Sequence, residues 1–181
     1  VTEVSTGHRK VAEGYSQMLQ SRHEQSSLTT PFVGDAPLVT VCVPFYNLGA
    51  YLPETLASLA AQTYPRLEVL VIDDGSTDAD SVRVFEEQRQ LYPQFRFVSQ
   101  ANAGVGATRN RGIAEAKGEY FIPMDADNIA APNMVERFVA GIRHRPDVSA
   151  LSCYFLAFKK TAEITRGTFS YAYRPMGGAH V

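Results

Sequence analysis

Four short apolar runs, residues 38–43, 67–72, 95–98 and 120–124, alternate along this chain with segments of helical periodicity, and that alternation constrains the fold more than any other feature. Short Val-, Ile- and Leu-rich runs separated by helices read as strands buried on both faces. Repeated strand–helix–strand units build a mostly parallel sheet with helices on either side. The expected class is therefore α/β, a three-layer α/β/α domain. Carboxylates mark the ends of two of the runs. Asp73-Asp74 follows Val69-Leu70-Val71-Ile72, and Asp125-Ala126-Asp127 follows Tyr120-Phe121-Ile122-Pro123-Met124. Open α/β sheets bind ligands at the carboxyl ends of their strands, so both acid pairs stand where a ligand is expected.

The connections follow the same logic. A turn at 44–49 leads into a helix over 50–62, with Leu52, Leu56 and Leu59 inward. Ser76, Thr77 and Asp78 are natural caps for the next helix, with Val82 and Phe85 as its inward positions. Gly104-Val105-Gly106 opens a third helix running to about Ala116, and Gly118 is expected to end it in the left-handed conformation. Pro132 suits a helix start, followed by an apolar face of Val135, Phe138, Val139 and Ile142. A fifth strand is expected over 148–158 and a hairpin over 163–173. Residues 1–37 read as an extension, an amphipathic helix over 10–24 followed by a polar linker. The domain itself is expected over 38–181. Cys42 and Cys153 fall in apolar runs and read as buried thiols rather than disulfide or zinc ligands.

Composition removes several function classes. A formal net charge of -2 leaves no general basic field for nucleic acid. No apolar run approaches the ~18 residues of a membrane span, and no signal-peptide pattern opens the chain. The first residue is valine, which reads as a processed or partial chain. The sparse cysteines are compatible with a reducing compartment. The expected location is cytoplasmic, free or peripheral to the inner face of a membrane, with homo-oligomerisation left open.

Asp125 and Asp127 offer hard oxygen ligands of the kind that suit Mg2+ or Mn2+. An ion held there would bridge to phosphate oxygens that bare carboxylates repel. The alternative is a solvated acidic turn, or Asp127 capping the helix near Pro132. A capping turn accounts for Ser76, Thr77 and Asp78 but leaves Asp73 and Asp74 over, one to orient the loop and one to read donors on a nucleobase. Tyr46 stacks on a base in one reading and half-covers a strand end in the other. Asn47 is expected to tie its own loop together. The small residues of 102–110 suit backbone amides facing an anion, yet they form neither a dinucleotide fingerprint nor a Walker A loop. Arg109 is a planar donor for phosphate or base, or else an ion-pair partner of the Asp loops. His180 is a lesser candidate for a metal shell, and no nucleophile elbow is present.

Taken in order, Val41-Cys42-Val43-Pro44-Phe45-Tyr46-Asn47, Val71-Ile72-Asp73-Asp74-Gly75-Ser76-Thr77-Asp78, Asn110-Arg111-Gly112 and Met124-Asp125-Ala126-Asp127-Asn128 resemble the family 2 glycosyltransferases over roughly residues 38–142. These are nucleotide-sugar enzymes of the GT-A fold. The resemblance implies transfer of a sugar from a nucleotide-sugar donor, commonly UDP-linked, to an acceptor hydroxyl, usually with inversion. The acceptor class, a glycan, a lipid-linked sugar or another hydroxyl, stays open. It implies that Tyr46 packs on the base, that Pro44 gives backbone contacts, and that Asp74 binds the base. Arg109 faces the donor, and Asp125 and Asp127 contact the ribose and the divalent ion, Mn2+ or Mg2+. One departure is expected to matter. An inverting enzyme needs a general base, and after Asp147 only Glu163 carries a carboxylate, so the acceptor half reads as incomplete. A non-catalytic nucleotide-sugar-binding module and a sugar-nucleotidyltransferase are the alternatives. The second lacks its glycine-rich basic loop after the first strand.

Overall fold

A computed structural model of the chain describes residues 36–144, 147 and 149–151. Among these, four strands, β1 (Val39–Phe45), β2 (Leu67–Asp73), β3 (Arg96–Ser99) and β4 (Tyr120–Pro123), alternate with helices α1 (Leu52–Ala60), α2 (Ala79–Leu91), α3 (Val105–Glu115) and α4 (Met134–His144). The strands form one parallel sheet in the order β3-β2-β1-β4. Val39 opens β1 opposite Leu67 of β2 on one side and Tyr120 of β4 on the other. The chain lays β2 and β3 outward from one side of β1, then crosses to its other side for β4. The order therefore reverses between β1 and β4, and their carboxyl ends flank the topological switch point where such sheets bind ligands.

Alternation along the strands separates two cores. Val39, Val41, Val43 and Phe45 join Val69 and Val71 on one face, under Leu52, Leu56 and Leu59 of α1, Phe85 of α2 and Val135 and Val139 of α4. Burying each such side chain contributes ~1.5–3 kcal/mol. Cys42, Leu70 and Ile72 point the other way, with Val98 and Phe121 beside them. The third layer, α3, lies close over this face. A Cβ on Gly112 would stand 2.4 Å from Cys42 Sγ, so the approach requires glycine. The expected three-layer α/β/α arrangement is present, and Cys42 is a buried free thiol. Burial pushes that thiol up to about 11. No helix among the described residues is long and apolar enough to cross a membrane.

Several local expectations are corrected. Pro44 and Phe45 belong to β1 rather than to a turn. β4 pairs only with Val39 to Cys42, and Cys42 turns its carbonyl to β4 while Phe45 turns its own toward β2. By alternation Pro44 faces the β4 side beyond the ladder's end, so its missing N–H leaves no bond unmade. Val82 is 43% exposed, not inward. The buried stripe of α2 is Ser81, Phe85 and Gln88. Ser81 is drawn in because its Oγ accepts from the Gly49 amide at 2.9 Å, and Phe85 because it stacks on Phe45 with ring centroids 5.6 Å apart.

Gly118 does not adopt a left-handed conformation; among the described residues the glycines with positive φ are Gly75 and Gly104. α3 ends instead on an extended Ala116, and Gly118 is small because a Cβ would meet the Thr40 amide nitrogen at 2.5 Å. Residues 149–151 form no strand. The remainder of the expected fifth strand, the hairpin, Glu163, Cys153, His180 and the helix over 10–24 lie outside the described residues.

Candidate functional site

The loops after β1 and β2 are sewn to each other. Asn47, at φ 51°, takes the left-handed conformation that asparagine tolerates. Its Oδ1 accepts from the Thr77 and Asp78 amides, each at 2.9 Å, and its own amide donates to Ser76 Oγ at 3.0 Å. Asn47 thus ties its loop to the start of α2, a correction to its expected role within its own loop. Asp78 caps α2, accepting from the Ser81 amide at 2.8 Å. Asp73 Oδ1 accepts from the Ser76 amide at 3.0 Å, which explains Asp73 as the residue that turns the loop. Pro44 is buried in β1, and Tyr46, the first residue past that strand, is exposed at the sheet's carboxyl edge.

Asp74 is buried and engaged. Its Oδ1 accepts from Gln100 Nε2 at 2.7 Å and the Ala103 amide at 2.9 Å, and its Oδ2 accepts from the Gly104 amide at 2.8 Å. Burial alone would raise its pKa; the bonds from Gln100 and from the Ala103 and Gly104 amides outweigh burial and hold the carboxyl below its ordinary value. A carboxylate has about four acceptor positions. Gln100 and the Ala103 and Gly104 amides occupy three here, and the Thr108 side chain stands against the same carboxylate. Gly104, at φ 86°, is the hinge that lets the chain present two successive amides to Asp74 before α3 begins.

Gln100 is a residue that sequence reasoning misses. It also donates to Thr108 Oγ1 at 3.1 Å and accepts from Arg111 Nη1 at 3.2 Å, so it holds β3, α3 and Asp74 together. A signal for it exists, since Gln100 is the first residue past β3, at the same sheet edge as the acid pairs.

Across the switch point, the Met124 amide donates to the Cys42 carbonyl at 2.9 Å and carries β4 one bond past its last paired residue. Ala126 is fully buried, while Asp125 and Asp127 on either side of it are exposed. Arg109, one turn into α3, donates through Nη2 to Asp125 Oδ1 at 2.5 Å. Its Nε is buried and has no hydrogen-bond partner among the described residues. The structure therefore brings Arg109 to Asp125, and ties Asp74 to the loop before α3. Asp127 faces solvent on the far side of Ala126.

The donor set can be weighed against a divalent ion. Among the described residues, no group of three His, Cys, Asp or Glu side chains forms a closed cage. Mg2+ characteristically takes one or two carboxylates and completes its shell with water and substrate phosphates. Two solvent-facing acids, one of them, Asp125, paired with a guanidinium whose Nε is unpaired, fit an ion shared with a diphosphate, not an all-protein site.

The family model for glycosyl transferase family 2 matches residues 40–179. The chain belongs to glycosyltransferase family 2. It is 38% identical over 100 residues to chondroitin synthase of Escherichia coli, covering 55% of this chain and 14% of that protein. It is 42% identical over 98 residues to the uncharacterized glycosyltransferase YibD of E. coli K12, covering 54% and 28%. The chain thus spans well under half the length of these relatives.

Solved structures share the fold. The mannosyltransferase PcManGT of Pyrobaculum calidifontis, in complex with GDP-Man and Mn2+, superposes with a TM-score of 0.56 at 26% identity over 76% of this chain and 41% of that one. Residues 1–349 of Staphylococcus aureus TarS with UDP-GlcNAc give 0.54 at 30% identity, over 60% of this chain and 32% of that one. The α/β/α domain is therefore a GT-A fold.

Proposed function

We propose that this family 2 chain carries the donor-binding part of an enzyme that moves a sugar from a nucleoside-diphosphate sugar, UDP-linked, to an acceptor hydroxyl with inversion. The observation that carries the reading is the acid loop at the switch point, Asp125 and Asp127 exposed on either side of buried Ala126 with Arg109 against Asp125. Asp127 and Asp125 would hold Mn2+ or Mg2+. When bound, that ion supplies positive charge to the diphosphate as it departs from the sugar.

The chain's own residues bind and orient. Arg109 offers a planar fork to the diphosphate or the ribose, and Asp125 shares itself between that guanidinium and the ribose. Asp74, kept ionised by its internal bonds at the sheet's carboxyl edge, is the acceptor for an N–H of the base. Uracil presents such an N–H. Tyr46 supplies an exposed ring for stacking, and Pro44 fixes the strand end beneath it.

Neighbours solved with GDP-Man and with UDP-GlcNAc support a nucleotide-sugar donor. The likeness to chondroitin synthase supports a glycan acceptor within polysaccharide biosynthesis. No general base is assigned among the described residues, and the domain over 38–181 is read as holding the donor half.

The test is release of nucleoside diphosphate from a panel of UDP- and GDP-sugars, with glycan and lipid-linked acceptors, by this chain and by a longer chain containing it. Transfer by the longer chain from a UDP-sugar supports the proposal. Binding without transfer by either would make the site a non-catalytic sugar-nucleotide module.

A further inference from the structure

α1 presents leucines to the core, but another stripe of the same helix is polar. Thr55 and Ser58 are buried, and Gln62 follows just past the helix end. All three turn toward one partner, the segment after β4. Thr55 Oγ1 donates to the Ala126 carbonyl at 2.7 Å. Ser58 Oγ accepts from the Ala130 amide at 2.9 Å. Gln62 Nε2 donates to the Ala131 carbonyl at 2.7 Å while its Oε1 accepts from the Val135 amide at 3.2 Å. The Thr63 amide adds a bond to the Pro132 carbonyl at 2.8 Å.

Residues 126–132 lie in neither helix nor strand, so no ladder satisfies their peptide groups. Buried peptide groups need partners from elsewhere. An α1 made only of apolar residues would seal the core and take away the side-chain partners of the Ala126 carbonyl and the Ala130 amide. The Thr55 bond falls at a particular place, the carbonyl of the residue between Asp125 and Asp127. Fixing that carbonyl fixes the peptide plane from which Asp127 departs. Buried Ala126 pins the same point from its side-chain end. Thr55 Oγ1 also lies 3.4 Å from the Tyr51 carbonyl. A hydroxyl has one hydrogen to give, and the shorter contact is to Ala126.

We infer that Thr55 is a positioning residue for the acid loop, and that Ser58 and Gln62 extend it into a rail that holds the loop's main chain. This rests on the donor reading of Asp125 and Asp127 given above. The rail acts on the metal–diphosphate end of the site and leaves the base end, built on β1, β2 and β3, untouched.

The test is Thr55→Val, which keeps the shape and replaces the hydroxyl by a methyl, alongside Thr55→Ser, which keeps the hydroxyl. Three readings are taken: UDP affinity with Mn2+ by calorimetry, uridine affinity by NMR titration, and hydrogen exchange of the Asp127 and Asn128 amides in nucleotide-free protein. The expected result for Thr55→Val is about tenfold weaker UDP–Mn2+ binding, the equivalent of one lost hydrogen bond. Uridine binding should not change, and amide exchange in the loop should quicken about tenfold or more. Thr55→Ser should stay within about threefold of wild type in all three, as restoring that one bond requires.

Three results overturn the inference: unchanged UDP–Mn2+ affinity in Thr55→Val, equal loss of uridine and UDP, or Thr55→Ser failing as badly as Thr55→Val. Should Thr55→Val not fold, Ser58→Ala removes the Ala130 bond and is read by the same three measurements. If wild type shows no metal-dependent UDP binding at all, the donor reading itself falls and takes this inference with it.

Discussion

Asp74→Asn should cost far more stability than a surface aspartate would. The asparagine keeps the size of the side chain but replaces one acceptor oxygen by a donor. In its better orientation the amide oxygen still accepts from Gln100 and Ala103, while its nitrogen faces the Gly104 amide in place of Oδ2. One charge-assisted bond is lost, worth about 1.5–3 kcal/mol, and two buried donors are set against each other. The two surviving bonds also lose the carboxylate's charge. We expect a loss of about 3 kcal/mol, within the roughly 5–15 kcal/mol that a domain of this kind commands, so the variant still folds. Urea unfolding should show a lower midpoint at unchanged slope.

The pH dependence gives a second handle. The Asp74 carboxyl sits below its ordinary value when folded. The unfolded chain therefore binds the proton more readily, and stability rises with pH through the acid range. The contribution is fully present above the unfolded value near pH 4 and is lost as pH falls through the folded value. Asp74→Asn should flatten that acid limb. A loss below about 0.5 kcal/mol, the level of an ordinary surface substitution, with the acid limb intact, would refute the account of Asp74 as the clamp on the loop before α3.

Other sites give shorter tests. Asp127→Ala should abolish the metal dependence of UDP binding and weaken UDP more than uridine; calorimetry that finds equal losses would remove Asp127 from the ion. Arg109→Ala breaks a pair exposed on both sides, so urea unfolding should change by less than about 1 kcal/mol, while UDP affinity falls about tenfold or more as one charge-assisted hydrogen bond is removed. Gly112→Ala sets a methyl 2.4 Å from Cys42 Sγ and should destabilise by about 1–3 kcal/mol through overpacking; adding Cys42→Ala removes that sulfur and should recover part of the loss in a double-mutant cycle.

The strands are legible in the sequence because a strand buried on both faces needs a continuous β-branched run, a local property. The end of β1 is less so, since whether Pro44 can stay in the strand depends on where the β4 ladder stops. Val82 is misplaced for a similar reason. Helical periodicity tolerates a shift of one residue, and what selects Ser81 over Val82 is the Gly49 amide, 32 residues earlier. Gly118 reads as a conformational requirement and is instead a close approach to Thr40 in the neighbouring strand.

At the site, the acid pairs stand out because charge at the end of an apolar run is conspicuous on its own. Thr55 and Gln100 carry no such mark. Their partners, Ala126 and Asp74, lie 71 and 26 residues away, and only the fold brings them together. Asp74 is legible as important but not as engaged, because the loop amides that occupy it belong to a glycine turn 30 residues downstream.

The central claim is a metal-dependent diphosphate site at the carboxyl ends of β1 and β4. Calorimetric titration of UDP into this chain, with Mn2+ and again with the ion removed by chelator, tests it most directly. The account predicts binding that strengthens about tenfold or more with Mn2+, as expected when the ion adds one charged interaction at the diphosphate, while uridine binds equally in both conditions. UDP affinity indifferent to Mn2+, or enhancement by the ion that survives Asp127→Ala, would contradict it.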